Sequence, residues 1–561
     1  MSLYEKIKDK IYVHLEEAAK QARVKGQLAY DELPVFVLEE PRERQLGDLA
    51  TNLAMLLTKQ CRKSPKDIAN IILENMEFTD TWIANSEIAG PGFINFRLDS
   101  SWLTGVIPEV LSLGDRYGSV NIGKGQKLQV EFVSANPTGL LHMGNARGAA
   151  LGDSLAAILS MAGYDVSREF YINDAGNQIH NFALSLEARY LQQLGHDVPF
   201  PEAGYHGEDL IDTVKMIIEQ DGDKYISMED ELRRESLVRL GLEEKLRDIK
   251  STLEDFGVFY DVWFSEQTLH DSGYVQDTTS ELEKKGYIYE KEGALWLKST
   301  LLGDEKDEVI IRSNGVPTYF ASDIAYHRHK FQRGFHKVIN IWGADHHGHV
   351  ARMKGSMQAM GYDPDCLQII LMQLVRLIQD GEIVKMSKRS GQYITLRELM
   401  DEVGKDAARF YFILRDPDSP VEFDLGLAKS QSSDNPVYYV QYAHARLCSI
   451  LRQAKEQGYD TDIDPTKNQL SLLNSTEEKD LLKKIADLPG EIATSAKMAE
   501  PHRLARYVLD LAALFHTFYN NQRVLIEDED LRVARLGLIK STKQVLANIL
   551  GILGVSAPER M

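Results

Sequence analysis

The sequence predicts a multidomain α/β protein with a parallel, doubly wound sheet at its centre, a small α/β domain before it and an all-α helical bundle after it. Three observations carry this. First, LQVEFVSA at 128–135 reads as a buried strand, and Pro137 and Gly139 break the chain before the helix-like MGNARGAALGDSLAAILSMAG, the strand–turn–helix opening of a nucleotide-binding fold. Second, VIIR at 309–312, VINIW at 338–342 and QIILM at 368–372 each give way to loop or helix, as a doubly wound sheet requires. Third, from Val437 onward almost every segment spaces its apolar residues helically, as in LARYVLDLAALFHTFYNN and STKQVLANILGILG.

In chain order, residues 3–23 and 66–75 read as helices and FINFRL at 93–98 as a strand, giving a small α/β domain over 1–115. The stretch SLGDRYGSVNIGKGQK at 112–127 is rich in Gly, Ser and Asn and lacks apolar periodicity, so it reads as a linker. The doubly wound core then spans 120–425. Within it, 207–258 is charged and helical and reads as a solvated insertion. The helical bundle occupies 430–561. At 561 residues the chain exceeds what one core organises.

Hydrophobic residues make up 43% and charged residues 26%, and no apolar run approaches the roughly 20 residues of a bilayer span, so a soluble protein without a membrane partner is expected. The amino-terminal residues mix charged and apolar positions at helical spacing, unlike a secretory signal. Cys61, Cys366 and Cys448 are far apart and form no CxxC pair, so they suggest neither a disulfide framework nor a cysteine zinc cluster and fit the reducing cytoplasm. The net charge, 64 minus 84 or −20, argues mildly against nucleic-acid binding. A large enzyme needs only a local basic track for RNA, so motifs must decide.

Two motifs carry phosphate chemistry. In ANPTGLLHMGNARG at 135–148, His142, Gly144 and Asn145 stand at a helix start, where unpaired N–H groups and the dipole favour a phosphate. Taken alone, His142 reads as a capping histidine. In KMSKRSG at 385–391, Lys385, Lys388 and Arg389 crowd a loop with Met386 and Ser387 and can neutralise triphosphate charge developing in a transition state. A third run, WGADHHGHVARM at 342–353, gathers His346, His347 and His349, but its spacing matches no metal site, and no protein-held metal is expected.

Together, in this order around a doubly wound core, HMGN resembles the HIGH signature and KMSKR the KMSKS signature of class I aminoacyl-tRNA synthetases; the last HIGH position is here Asn145. The resemblance implies that His142 and Asn145 bind ATP and stabilise the α-phosphate in transfer, while Lys385 and Lys388 hold the departing pyrophosphate, with Mg²⁺ accompanying ATP. Gly343 and Asp345 look like the GxD pair that approaches the ATP ribose or the substrate. Further segments are similar to arginyl-tRNA synthetases in particular: VEFVSANPTGLLHMGN at 130–145, YINDAGNQI at 171–179, FGVFYDVWFSE at 256–266, PTYFASDIAYH at 317–327 and NPVYYVQYAHAR at 435–446. The termini, RQLGDLATNLAM at 44–55 and GVSAPERM at 554–561, are similar as well.

A guanidinium is recognised by carboxylates in planar, bidentate arrangement and by an aromatic face. Tyr319 and Asp323, four residues apart, would share a helix face, and Glu131 ends the strand entering the HMGN loop. Carried over from the family, Glu131, Tyr319 and Asp323 would grip the arginine side chain, Asn136 its head group, and Asp345 or His346 a further head-group atom. For RNA, Phe93 and Asn95 in GPGFINFRL resemble a D-loop-reading edge, and Tyr439, Tyr442 and Arg446 resemble anticodon-bundle contacts. Taken alone, Phe93 reads as facing a sheet core. The expected activity is ATP-dependent arginylation of tRNA-Arg by a monomer. A cysteine-specific relative would need a cysteine cluster, a glutamate-specific one cationic contacts; a non-catalytic tRNA-binding paralogue and a histidine-run hydrolase are the remaining alternatives.

Overall fold

The structure is a computed structural model, and it describes residues 3–39, 41, 43, 46–79, 81–379, 381–383 and 394–561. The central sheet has five strands in the spatial order Leu367–Met372, Lys337–Gly343, Lys127–Glu131, Asp165–Ile172 and Val262–Ser265. All four pairings are parallel. Its first strand in sequence lies in the middle, with the next two on one side and the last two on the other. Connections therefore leave Lys127–Glu131 and Lys337–Gly343 in opposite directions and open a crevice beyond their carboxyl ends, the place where such sheets bind ligands. Leu128, Gln129, Val130 and Glu131 are all buried, as expected of a strand covered on both faces.

The strand ends four residues earlier than the apolar run does. Val133 and Ser134 take φ of 69° and 40°, a left-handed conformation that is costly for a β-branched residue, and the chain turns there toward the helix Met143–Met161. Gly152 of this helix passes so close to the Phe132 ring that a Cβ would lie 2.1 Å from it. No larger residue fits that approach.

The run at 309–312 does form a strand, Glu308–Ile311, but not in the central sheet. It pairs antiparallel with Ala294–Leu297, which pairs with Ile288–Lys291. Glu292 and Gly293, with φ of 54° and 73°, close that hairpin in the primed geometry that matches strand twist. A four-residue apolar strand looks alike in either sheet, and only its partners distinguish them.

The charged stretch 207–258 forms helices Glu208–Asp221 and Asp230–Asp255, and it is less solvated than its composition implies. Leu210, Val214, Ile217 and Leu237 pack with Phe182, Leu186 and Tyr190 of the helix Asn177–Gln193. Buried Arg233 pairs with Glu187 at 2.8 Å and buried Lys245 with Asp209 at 2.9 Å, so charges inside this subcore are compensated.

Before the catalytic unit, the helix Leu3–Val24 and helices Leu53–Cys61 and Pro65–Asn75 cover an antiparallel sheet ordered Leu38–Glu39, Leu49–Thr51, Phe93–Leu98, Ile83–Ala89. After it, Pro436–Glu456, Thr476–Ala486, Leu488–Met498, His502–Asn521 and Glu529–Ile552 build the helical bundle. The stretch 112–127 is no free tether. The Tyr117 hydroxyl donates to the Ile485 carbonyl at 3.0 Å, and the Asn548 amide donates to the carbonyls of Gly114 and Tyr117. Among the described residues no helix is long and apolar enough to cross a membrane.

Candidate active site

The HMGN turn is built by reciprocal capping. His142 is the N-cap of Met143–Met161, and its Nδ1 accepts the Gly144 N–H at 3.1 Å; Asn145 Oδ1 accepts the His142 N–H at 3.0 Å. An accepting Nδ1 places the proton of the neutral ring on Nε2. The Asn145 carbonyl oxygen is committed to the cap, so a bond from this side chain to a nucleotide comes from its amide nitrogen. One turn further, fully buried Arg147 donates to the carbonyls of Gln373, Asp416 and Ser419 at 2.5–2.9 Å, fastening the helix to the residue after strand Leu367–Met372 and to the loop 416–419.

Lys385, Met386, Ser387 and Lys388 lie outside the described residues. The residues that follow this loop are tied to the HMGN turn: Met143 N–H donates to the Ile394 carbonyl at 3.2 Å and Leu396 N–H to the Leu141 carbonyl at 2.8 Å, with His142 and Thr395 paired as a β-bridge. The two motifs, far apart in sequence, thus join one backbone ladder.

Over the same crevice lies the helix Tyr319–Gln332. Tyr319, Asp323, His327 and Lys330 are spaced to line one face of it, toward the sheet. Asp323 Oδ2 is bonded to His349 Nε2 at 3.1 Å, which gives that member of the histidine run a partner. Glu131, nearly buried, is held on both oxygens: Ser134 Oγ donates to Oε1 at 2.8 Å and Lys330 Nζ to Oε2 at 2.5 Å. Tyr319 is 46% exposed and borders a cavity of about 380 Å³ with Gly176, His180, Glu266, His270, Arg312 and Ser322.

Glu266 is a buried carboxyl that the sequence reading did not single out. Burial pushes it above its ordinary value, and nearby Asp323 adds to the rise against hydrogen bonds from His270 and Ser322. Asn136 is exposed and accepts from Asn173 Nδ2 at 3.3 Å. Gly343 ends its core strand, and the Asp345 side chain, 83% exposed, stands 3.7 Å from His346 Nε2 at the start of helix His347–Met360.

A capped helix start and the carboxylates of Glu131 and Asp323 thus lie at one end of the central sheet. Comparison with known proteins agrees in every part of the chain. Residues 5–98 match the arginyl-tRNA synthetase N-terminal domain, 106–412 the class I (R) tRNA synthetase catalytic domain and 440–561 the DALR anticodon-binding domain. An arginine–tRNA ligase of Desulfitobacterium hafniense is 74% identical over 561 residues, 100% of both chains. The chain belongs to the arginyl-tRNA synthetase family. A second such ligase, from Moorella thermoacetica, is 60% identical over 562 residues, again 100% of each. The arginyl-tRNA synthetase of Thermus thermophilus, 24% identical, has the same fold, with a TM-score of 0.74 over 97% of this chain and 99% of that one.

In this arginyl-tRNA synthetase the residues resembling RNA contacts sit away from the crevice. Ile94 and Phe96 enter the amino-terminal core, while Phe93, Asn95 and Arg97 alternate onto the opposite face, so Phe93 does not face that core. Phe93 is half-buried, but Asn95 is only 3% exposed. In the bundle, the Arg446 guanidinium lies 4.3 Å from the Tyr519 ring centroid and donates to the Tyr442 hydroxyl, and Tyr439 and Tyr442 both contact His516.

The residues that sequence reading missed are Ser134, Arg147, Glu266, His327, Lys330 and Asn340, and for His349, noticed in the histidine run, it missed the pairing with Asp323. Helical spacing from Asp323 was the one available signal, and it reaches His327 and Lys330. Ser134 and Arg147 lie in the turn and helix that follow Glu131, while Asn340 is brought in by sheet register.

Proposed function

We propose that this class I arginyl-tRNA synthetase binds arginine over the carboxyl ends of Lys127–Glu131 and Lys337–Gly343, activates it there with ATP and passes it to the terminal adenosine of tRNA-Arg. The observation that carries the assignment is Asp323, one helical turn from Tyr319 on the helix whose Lys330 reaches Glu131, the last residue of the strand that leads into the HMGN turn. Asp323, Glu131 and the Tyr319 ring would receive the guanidinium, and Asn136 with Asp345 or His346 the α-amino and carboxylate groups.

In activation the arginine carboxylate oxygen attacks the α-phosphorus and the bond to the bridging oxygen breaks, releasing pyrophosphate. Negative charge grows on the phosphoryl oxygens. His142 Nε2–H, the Asn145 amide and the positive dipole end of Met143–Met161 would meet that charge. Gly144 lets the α-phosphate close in. Gly343 and Asp345 would lie along the ribose, and Lys385, Met386, Ser387 and Lys388 along the leaving pyrophosphate, with Mg²⁺ entering as part of the ATP complex. In the transfer step a ribose hydroxyl attacks the adenylate carbonyl and AMP departs.

We assign residues 1–115 and 430–561 to tRNA contact and 120–425 to catalysis, in a cytoplasmic monomer. Given total tRNA and each of the twenty amino acids in turn, the purified protein should charge arginine alone; charging of another amino acid, or of none, overturns the reading. On the RNA side Phe93→Ala should raise the KM for tRNA about tenfold with little change in adenylate formation, because the ring would stack on a base remote from the chemistry. A loss confined to kcat would return Phe93 to a packing role. Asn95, almost buried, supports a lesser part.

A further inference from the structure

If Glu131 receives the substrate's cation, the structure presents a difficulty: a cation is already there. Lys330, fully buried, donates to Glu131 Oε2 at 2.5 Å and to Asn340 Oδ1 at 3.0 Å, and its ammonium lies 4.3 Å from the Tyr326 ring centroid. Those bonds fix the rest of a chain. With its Oδ1 accepting from lysine, Asn340 donates through Nδ2 to His327 Nε2 at 2.6 Å. His327 then carries its proton on Nδ1, which donates to the Asp323 carbonyl at 2.8 Å. At the other end Tyr171 N–H donates to Ser134 Oγ, whose hydroxyl donates to Glu131 Oε1. Each of these bonds pairs a donor with an acceptor, and the chain ends on the backbone of the second carboxylate residue. Burial and the Lys330 charge keep His327 well below its ordinary value and hence neutral, as the chain requires.

We infer that Lys330 is a specificity-determining positioning residue for the amino-acid substrate: it neutralises and orients Glu131, leaving Asp323 as the carboxylate whose charge answers that of one guanidinium. Glu131 and Asp323, both charged and facing a single monocation with no lysine beside them, would leave a negative charge buried in the filled pocket, which is costly. Paired to lysine, Glu131 offers hydrogen-bond geometry and Asp323 offers charge. This rests on the assignment of both carboxylates to the guanidinium.

The test compares full-length Lys330→Met, Glu131→Gln, the double variant and Asp323→Asn by the KM values for arginine and ATP and by selectivity for arginine over citrulline. Lys330→Met should raise the arginine KM about tenfold or more and reduce that selectivity similarly, with the ATP KM changed less than about twofold. Because lysine acts through Glu131, the double variant should match Glu131→Gln within about twofold. An arginine KM that is unchanged or lowered in Lys330→Met, or losses that multiply in the double variant, would overturn the inference. If Lys330→Met does not fold, the double variant, which buries neither charge, decides against Glu131→Gln in the same way. Normal selectivity in Asp323→Asn sinks the site assignment itself, whereas an effect at Asp323 with none at Lys330 sinks only this inference.

Discussion

Asp323→Asn should lower kcat/KM for arginine roughly a hundredfold to a few thousandfold, with ATP binding almost untouched. The substitution preserves size and leaves an oxygen to accept from His349 Nε2, so the local fold has no reason to move. What disappears is the charge facing the guanidinium. Leaving one member of a desolvated ion pair without its partner costs about 3–5 kcal/mol, and each ~1.4 kcal/mol is tenfold. Asp323 is partly exposed before substrate arrives, and the full cost is expected only once arginine fills the pocket. Citrulline, with a neutral urea group, should lose its disadvantage relative to arginine by a comparable factor. Aminoacylation series with both amino acids measure the two quantities; wild-type discrimination by the variant would place the pocket elsewhere.

Lys388→Ala should slow adenylate formation by about ten- to a hundredfold while arginine affinity stays near that of the parent protein. Its ammonium would matter chiefly as charge moves onto pyrophosphate, a transition-state interaction that appears in the rate and not in ground-state binding. The hydrogen bonds joining 394–396 to 141–143 bring the end of this loop to the turn that would hold the α-phosphate. Single-turnover activation kinetics at saturating ATP measure the effect, and an unchanged rate would remove Lys388 from the machinery.

The two expectations differ in how they could be read. Lys388 belongs to a contiguous run, KMSKR, whose chemistry is local: several cations in one loop suit a triphosphate wherever the loop sits. Asp323 and Tyr319 were also legible, because four-residue spacing in a helix puts two side chains on one face regardless of context. The capping histidine behaved likewise. His142 and Asn145 fold the turn through bonds that span three residues, so a reading of the local sequence reached them.

Burial was harder. The charged run 207–258 hides a core whose ionic members are paired internally, and composition cannot tell a solvated charge from a compensated one. The polar stretch 112–127 has a similar lesson: Tyr117 is buried because Ile485 and Asn548 come to it from the far end of the chain.

By itself the sequence determined the doubly wound core, the helical carboxyl-terminal quarter, the two motifs that resemble class I signatures and the acidic, aromatic helix face, all features encoded by periodicity or by neighbours within a few residues. The tertiary structure alone decided which sheet Glu308–Ile311 joins, and that Glu131 arrives already paired. Glu131 and Lys330 are separated by most of the catalytic unit. Their meeting is set by the helix Tyr319–Gln332 lying over a sheet in which Asn340 stands in register with Glu131. Contacts of that kind depend on strand order and helix placement, which no local pattern specifies, and a buried charge can be assigned a role only when its partner is known.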